Sequence, residues 1–207
     1  PPASSKTLEL SPSWILEAFE ESKQLTDHFI EQYRCADYVD TILPKQTQLC
    51  VALTVEAFEK LGCPIRTAVA GQKLERILHI PKHAQLAQYL CRLLSADARL
   101  INLAEDGRIT RTHMALPKPS DQILQDLLRL YPDHEWANRL AAFTGARLAE
   151  VLKGETDGLG LIFGTDEGRE LVAGLYGDSL LNKLSYRQME DIITRLASRI
   201  PRDSGPL

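Results

Sequence analysis

ARLINLAEDGRITRTHMAL, residues 98–116, is where the period of the chain changes. Just upstream, residues 82–98 carry Leu86, Leu90, Leu93 and Leu94 at i, i+4, i+7 and i+8, the spacing of one helical face. Past Ala98 that spacing is lost, and Glu105-Asp106-Gly107 stands between two short apolar segments. Asp-Gly is a strong hairpin signal because glycine accepts positive φ without steric cost. The stretch therefore predicts two short strands joined by a turn. A helix feeding a β-hairpin is the pattern of a winged-helix module, so the expected fold is mainly α, with one small winged-helix-like β-hairpin.

Helical signals extend in both directions. Ser11-Pro12 predicts a helix start, with apolar positions from Trp14 to Tyr33 over residues 12–33. A second helix is expected from about Lys45 to Leu61, with Gly62 as a left-handed terminator and Pro64 as a stop. Its apolar residues nearly encircle it, which marks an interior helix. LPKPS, 116–120, reads as a linker. Beyond it, Ser120 is expected to cap a helix stopped by Pro132, and a longer helix runs from Asp133 to a close at Gly154. GETDGLGLIFG, 154–164, has no GxGxxG and reads as a flexible connection. In LSYRQMEDII, 184–193, Ser185 and Gln188 fit a capping box, with Leu184 and Met189 as its staple. The expected organisation is a linker at 1–10, a helical subdomain with the hairpin at 11–118, a helical segment at 119–200, and a connecting segment at 201–207.

Composition excludes several classes. Lys+Arg number 24 against 28 Asp+Glu, a net charge of −4, where a nucleic-acid binder shows a basic excess or stripe. No apolar run approaches the roughly 18 residues of a membrane span. The cysteines at 35, 50, 63 and 91 show no CxxC, and reduced, buried thiols of a cytoplasmic protein are expected. His79 and His83 share i,i+4 spacing, but Pro81 lies between them and no further ligand stands at metal-site spacing, so no metal is expected. No triad, phosphate loop or metal cluster is legible, and no catalytic residue is assigned. LYGDSLLN, 175–182, is more polar than a helix start requires, which makes it a candidate site lining.

Longer blocks carry a resemblance. YRCADYVDTILPKQTQLCVALTVEAFEKLGC (33–63), HIPKH (79–83), GRITRT (107–112), LIFGTDEGRELVAGLYGDSLLNKLSYRQMEDII (161–193) and RDSGPL (202–207) together resemble the C-methyltransferase domain of fungal non-reducing iterative polyketide synthases. The likeness covers nearly the whole chain and corresponds to the N-terminal, helical, lid-like part of that domain. It implies methyl transfer from S-adenosylmethionine to the α-carbon of a β-ketoacyl chain on an acyl carrier protein, beside neighbouring synthase domains. The donor loop and the histidine base of the family belong to a core that follows this region, so His28, His79, His83, His113 and His134 are not assigned that role. Tyr176, Asp178, Asn182 and Tyr186 are implied as lid residues that line the donor or substrate site. A lid contributes by excluding water and aligning the reacting carbons.

The alternative is a non-catalytic interaction module. A DNA-reading winged helix would present Lys82, His83, Arg92 and Arg99, which form no stripe, and Glu105-Asp106 would bring negative charge to the wing tip. Docking of an acidic carrier protein would instead use Lys73, Arg76, Lys82, Arg108 and Arg111.

Overall fold

The computed structural model describes residues 10–200. The expected linker at 1–10, apart from Leu10, and the expected connection at 201–207 lie outside that range. The described chain is mainly helical and falls into two compact units, one of residues 38–179 and one of residues 10–37 with 180–200.

The larger unit is organised on helix α3, Leu43–Lys60. It follows a π-helical turn at Tyr38–Ile42, and Pro44 falls in its first turn, where no amide donor is needed. Gly62 ends the turn beyond it at φ 85°, as its sequence signal requires. The helix is apolar all round because both of its sides are covered. On one side Val51, Val55 and Phe58 meet Leu74, Leu90, Leu94, Ile101 and Ile109. On the other, Leu49, Ala52 and Leu53 meet Ile123 and Leu127. Each such Val, Leu, Ile or Phe side chain contributes roughly 1.5–3 kcal/mol by leaving water.

The hairpin forms as expected. Strands β2 (Ile101–Leu103) and β3 (Ile109–Arg111) pair antiparallel, with Leu103 opposite Ile109. Gly107 takes φ 76°, and the turn closes through Gly107 N to Ala104 O at 2.8 Å. Asp106 accepts from the Arg108 amide at 2.9 Å and pairs with its guanidinium at 3.0 Å. A third strand was not foreseen. β1, Lys73–Leu74, pairs with β3, giving a sheet of order β1-β3-β2.

Arg111 holds this sheet to its surroundings. It is buried, and its guanidinium donates to the carbonyls of Ile65 (3.1 Å), Leu100 (2.9 Å), Thr112 (2.9 Å) and Met114 (2.7 Å). A planar fork of five N–H donors is suited to gathering carbonyls that arrive from several directions.

The predicted helix over 82–98 is a composite. A 3-10 turn at Pro81–His83 leads into α4, Ala84–Arg92, and then a π-helical turn at Leu93–Asp97. α5 spans Ser120–Leu130. Ser120 is its first residue rather than its cap: its amide (2.9 Å) and hydroxyl (2.7 Å) both donate to Glu56 on α3. The carboxylate of a distant helix thus satisfies a helix N-terminus, where negative charge is favoured.

The long helix expected from Asp133 to Gly154 is divided into α6, Glu135–Ala146, and α7, Leu148–Lys153, with Gly154 left-handed at the end. The supposed flexible connection after it contains a helix, α8, Gly158–Gly164, capped by Asp157. α9, Asp166–Asp178, follows at once, capped by Thr165.

The smaller unit comprises α1 (Pro12–Lys23), α2 (Thr26–Gln32) and α10 (Leu180–Arg199). The single helix expected over 12–33 is interrupted at Gln24-Leu25, with no Pro or Gly to mark the break. Ser11 stands at the first N-cap as expected, although its hydroxyl meets that of Ser13 instead of a backbone amide. The capping box at Ser185 is overturned: α10 starts five residues earlier, and the Ser185 hydroxyl donates back to Leu181 O at 3.0 Å within the helix. Glu21 joins Arg195 (2.7 Å) and Arg199 (2.8 Å), and Asp191 binds Arg195 at 2.7 Å. Their arginine partners hold the carboxyls of Glu21 and Asp191 below the usual range.

Candidate functional site

The four expected lid residues lie on two helices. Tyr176 and Asp178 occupy the last turn of α9, and Asn182 and Tyr186 the first two turns of α10. Tyr176 is 58% exposed and Tyr186 44%. Asp178 is exposed and Asn182 half-buried. Tyr176 needs its exposure to reach anything outside the helix, and a ring committed to the core would have lacked it. One face of α9 is committed to the interior through Leu171 and Gly174, both buried. Gly174 allows α9 to approach Trp136 of α6 so closely that no Cβ fits between them.

A different constellation emerges inside the larger unit. An apolar groove of about 630 Å³ runs between α3, α4 and α6. Its walls include Leu43, Leu53, Tyr89, Leu93, Ala141 and Leu148. At its polar end Tyr38 donates to Gln46 Oε1 (2.9 Å), and Gln46 Nε2 donates to Asn138 Oδ1 (2.9 Å). Asn138 is 1% exposed, and its Nδ2 has no hydrogen-bond partner. Such a group costs free energy unless something answers it. His134 sits beside this chain, 5.4 Å from the Tyr38 ring, and burial pushes its imidazole below the ordinary value. Cys50 opens onto the same groove and is exposed, a correction to the expectation of four buried thiols. Cys35 and Cys63 are buried as expected, and burial pushes Cys63 up to about 11. Residue reading missed Asn138 and Gln46, because nothing local in NRLAAF or KQTQL distinguishes a buried amide from a solvated one.

The candidate docking cations are mostly occupied. Arg111 is buried in the sheet and is withdrawn as a surface residue, since backbone carbonyls take up its donors. Arg76 donates to the carbonyls of Asp106 and Gly107, and Arg108 is paired with Asp106. Lys82 lies 3.8 Å from Asp157. Lys73 stays exposed on β1. Among the described residues no group of three or more His, Cys, Asp or Glu gathers as a metal site, and no helix is long and apolar enough to cross a membrane.

Residues 20–108 match the family model described as a methyltransferase helix-turn-helix domain. The chain is 96% identical over its full length to a segment of the non-reducing polyketide synthase epaA of Aspergillus niger, and 64% identical over 97% of its length to pks11 of Talaromyces marneffei. It spans about 8% of each of those proteins. Among solved structures, the C-methyltransferase domain of the citrinin polyketide synthase superposes with a TM-score of 0.89 at 40% identity, covering 96% of this chain and 52% of that one. The family match places a methyltransferase helix-turn-helix domain within residues 20–108. More particularly, the chain corresponds to the N-terminal part of a polyketide synthase C-methyltransferase domain.

Methyltransferases of this kind imply S-adenosylmethionine, and the glycine-rich segment 154–168 is a place among the described residues where backbone amides for it would be sought. They are not free. Asp157 takes the Gly160 amide at 2.7 Å, and Thr165 takes that of Gly168 at 3.0 Å. These glycines begin helices instead of cradling a ligand, so this segment does not fit the donor.

Proposed function

We propose that this chain is the substrate-covering part of an S-adenosylmethionine-dependent C-methyltransferase domain that acts on the α-carbon of carrier-protein-bound β-ketoacyl intermediates. The likeness to the citrinin synthase domain over 96% of the chain carries this reading. In the complete domain S-adenosylmethionine supplies the methyl group, and the donor site and base belong to the part of the domain beyond this region. The role of these residues is to close over the reacting groups, exclude water and hold the acyl chain. Tyr176 on α9 and Tyr186 on α10 each present an exposed ring for that purpose, and Asp178 and Asn182 lie close to them in the sequence.

The test compares the 207-residue chain with the complete domain, using a β-ketoacyl thioester and S-adenosylmethionine. The complete domain should yield the α-methylated product, and the chain alone should yield none and show no micromolar donor binding by calorimetry. Micromolar donor binding by the chain alone would overturn the assignment of the donor site to the rest of the domain.

A further inference from the structure

α10 is the longest of the described helices, at 20 residues, and none of its residues is buried. Helices in proteins draw most of their stability from a face packed against a neighbour rather than from propensity. α1 and α2 reach α10 from one side. That side carries Arg195 and Arg199, which pair with Glu21 of α1, and Arg187, whose guanidinium stands 5.8 Å from the centre of the Phe29 ring of α2. Ion pairs as exposed as these add little to stability.

The opposite side is apolar. Tyr186, Met189 and Ile193 follow at i, i+3 and i+7, and at about 100° per residue they lie roughly 180–240° around the helix from Arg195. They are 44%, 51% and 64% exposed. One such residue on a surface is ordinary; three in line, on a helix with no buried residue, make a face without a neighbour among the described residues. Tyrosine and methionine are favoured in the cores of protein interfaces. Glu190, beside the face, is paired with Arg187 at 2.7 Å, so the margin offers little to a strongly charged partner.

The covering segment is indicated by the chain's place in its domain. The chain covers 52% of the citrinin synthase domain's chain and corresponds to its N-terminal part, so close to half of that domain follows α10 in the sequence. Among the described helices α10 is the one next to that half. A segment tethered so near docks at a high effective concentration, an advantage that a second copy of the chain does not have.

We infer that the Tyr186–Met189–Ile193 face of α10 is an intramolecular docking surface for the C-terminal half of the same domain, which meets it with apolar side chains. The inference rests on the chain's place in the domain and not on the reaction or substrate proposed above. Tyr186, at one end of the face, is where the docking surface and the covering role coincide.

The test uses the complete domain. Oxidation of Met189 by hydrogen peroxide is followed by peptide mass spectrometry, in the folded domain and in urea. Met189 should oxidise at least about fivefold more slowly in the folded domain, because oxidation follows exposure. A smaller factor, as a side chain left 51% exposed would give, overturns the inference. The occupant is identified by Met189→photo-methionine, a nearly isosteric change, irradiated in a mixture of isotope-labelled and unlabelled domain. The cross-link should run from position 189 into the C-terminal half of the same copy. A cross-link between copies, a cross-link back into residues 1–207, or no cross-link at all overturns the inference. A domain that protects Met189 but transfers no methyl group would sink the proposed function and leave this surface standing. Methyl transfer with Met189 unprotected would do the reverse.

Discussion

Gly174 and Gly177 lie three residues apart on α9 and should respond oppositely to the same substitution. A Cβ on Gly174 would stand 2.6 Å from Cε2 of Trp136 and nearer still to Cδ2 and Cε3, whereas a Cβ on Gly177 meets nothing within 4 Å. Carbon atoms settle at about 3.5–4.0 Å, so Gly174→Ala requires the indole or the helix to shift by more than about 1 Å. Overpacking of this size costs about 1–3 kcal/mol. Against it stands the gain of about 0.5–1 kcal/mol from replacing a helical glycine with alanine. Gly177→Ala keeps the gain without the clash. Gly177→Ala should therefore raise stability slightly, Gly174→Ala should lower it, and the two should differ by about 1–3 kcal/mol. Urea unfolding followed by Trp136 emission, in a Trp14→Phe background so that Trp136 alone reports, measures the difference. Equal shifts for the two variants would refute the close approach of α6 and α9.

Arg111→Met should destabilise the larger unit by about 2–4 kcal/mol, because the Ile65 and Leu100 carbonyls lie too deep for water to replace the guanidinium; a urea midpoint within error of wild type would contradict this. The folded His134 imidazole titrates below its ordinary 6.5 because burial disfavours its charge, so the unfolded chain takes up the proton first. Stability should be full above about pH 6.5 and decline as pH falls below it, before the carboxyls of Glu21 and Asp191 begin to titrate, and His134→Phe should flatten the slope between pH 7 and 5.5. In the complete domain Tyr176→Phe should leave stability unchanged and slow methyl transfer roughly three- to tenfold, the equivalent of one hydrogen bond. Tyr33→Phe is the control, and an unchanged rate in Tyr176→Phe would show that the hydroxyl is idle.

What was legible in the sequence was what neighbouring residues decide. Asp106-Gly107 announced the hairpin because positive φ is a local requirement, and Gly62 with Pro64 announced the end of α3 for the same reason. β1 escaped because two residues become a strand only when a partner strand 35–37 positions away supplies the hydrogen bonds; here Thr110 lies opposite Lys73 and Ile109 opposite Leu74. The box at Ser185 misled because a serine within a helix can satisfy itself on the preceding turn, and the five residues before it already continue the helix. Asp157 and Thr165 each precede by three the glycine whose amide they cap, a signal present in GETDGLG and GTDEG but masked by the glycines themselves. The candidate lid tyrosines were legible only as polarity out of place. Asn138 was not legible at all, since its meaning depends on Gln46, 92 positions away.

The smaller unit draws its helices from both sides of the larger one along the chain: Glu21 of α1 meets Arg195 of α10 across 174 positions. During synthesis α1 and α2 emerge first and wait for about 140 further residues before α10 exists. At roughly 5–20 residues per second that is a delay of about 7–30 s. Over that interval the ribosome carries two short helices whose Phe29 and Ala18 have no lasting partner, while residues 38–179 already have everything their own core requires. The order of assembly is thereby written into the order of translation, with the inner segment finished first and the outer helices joined last.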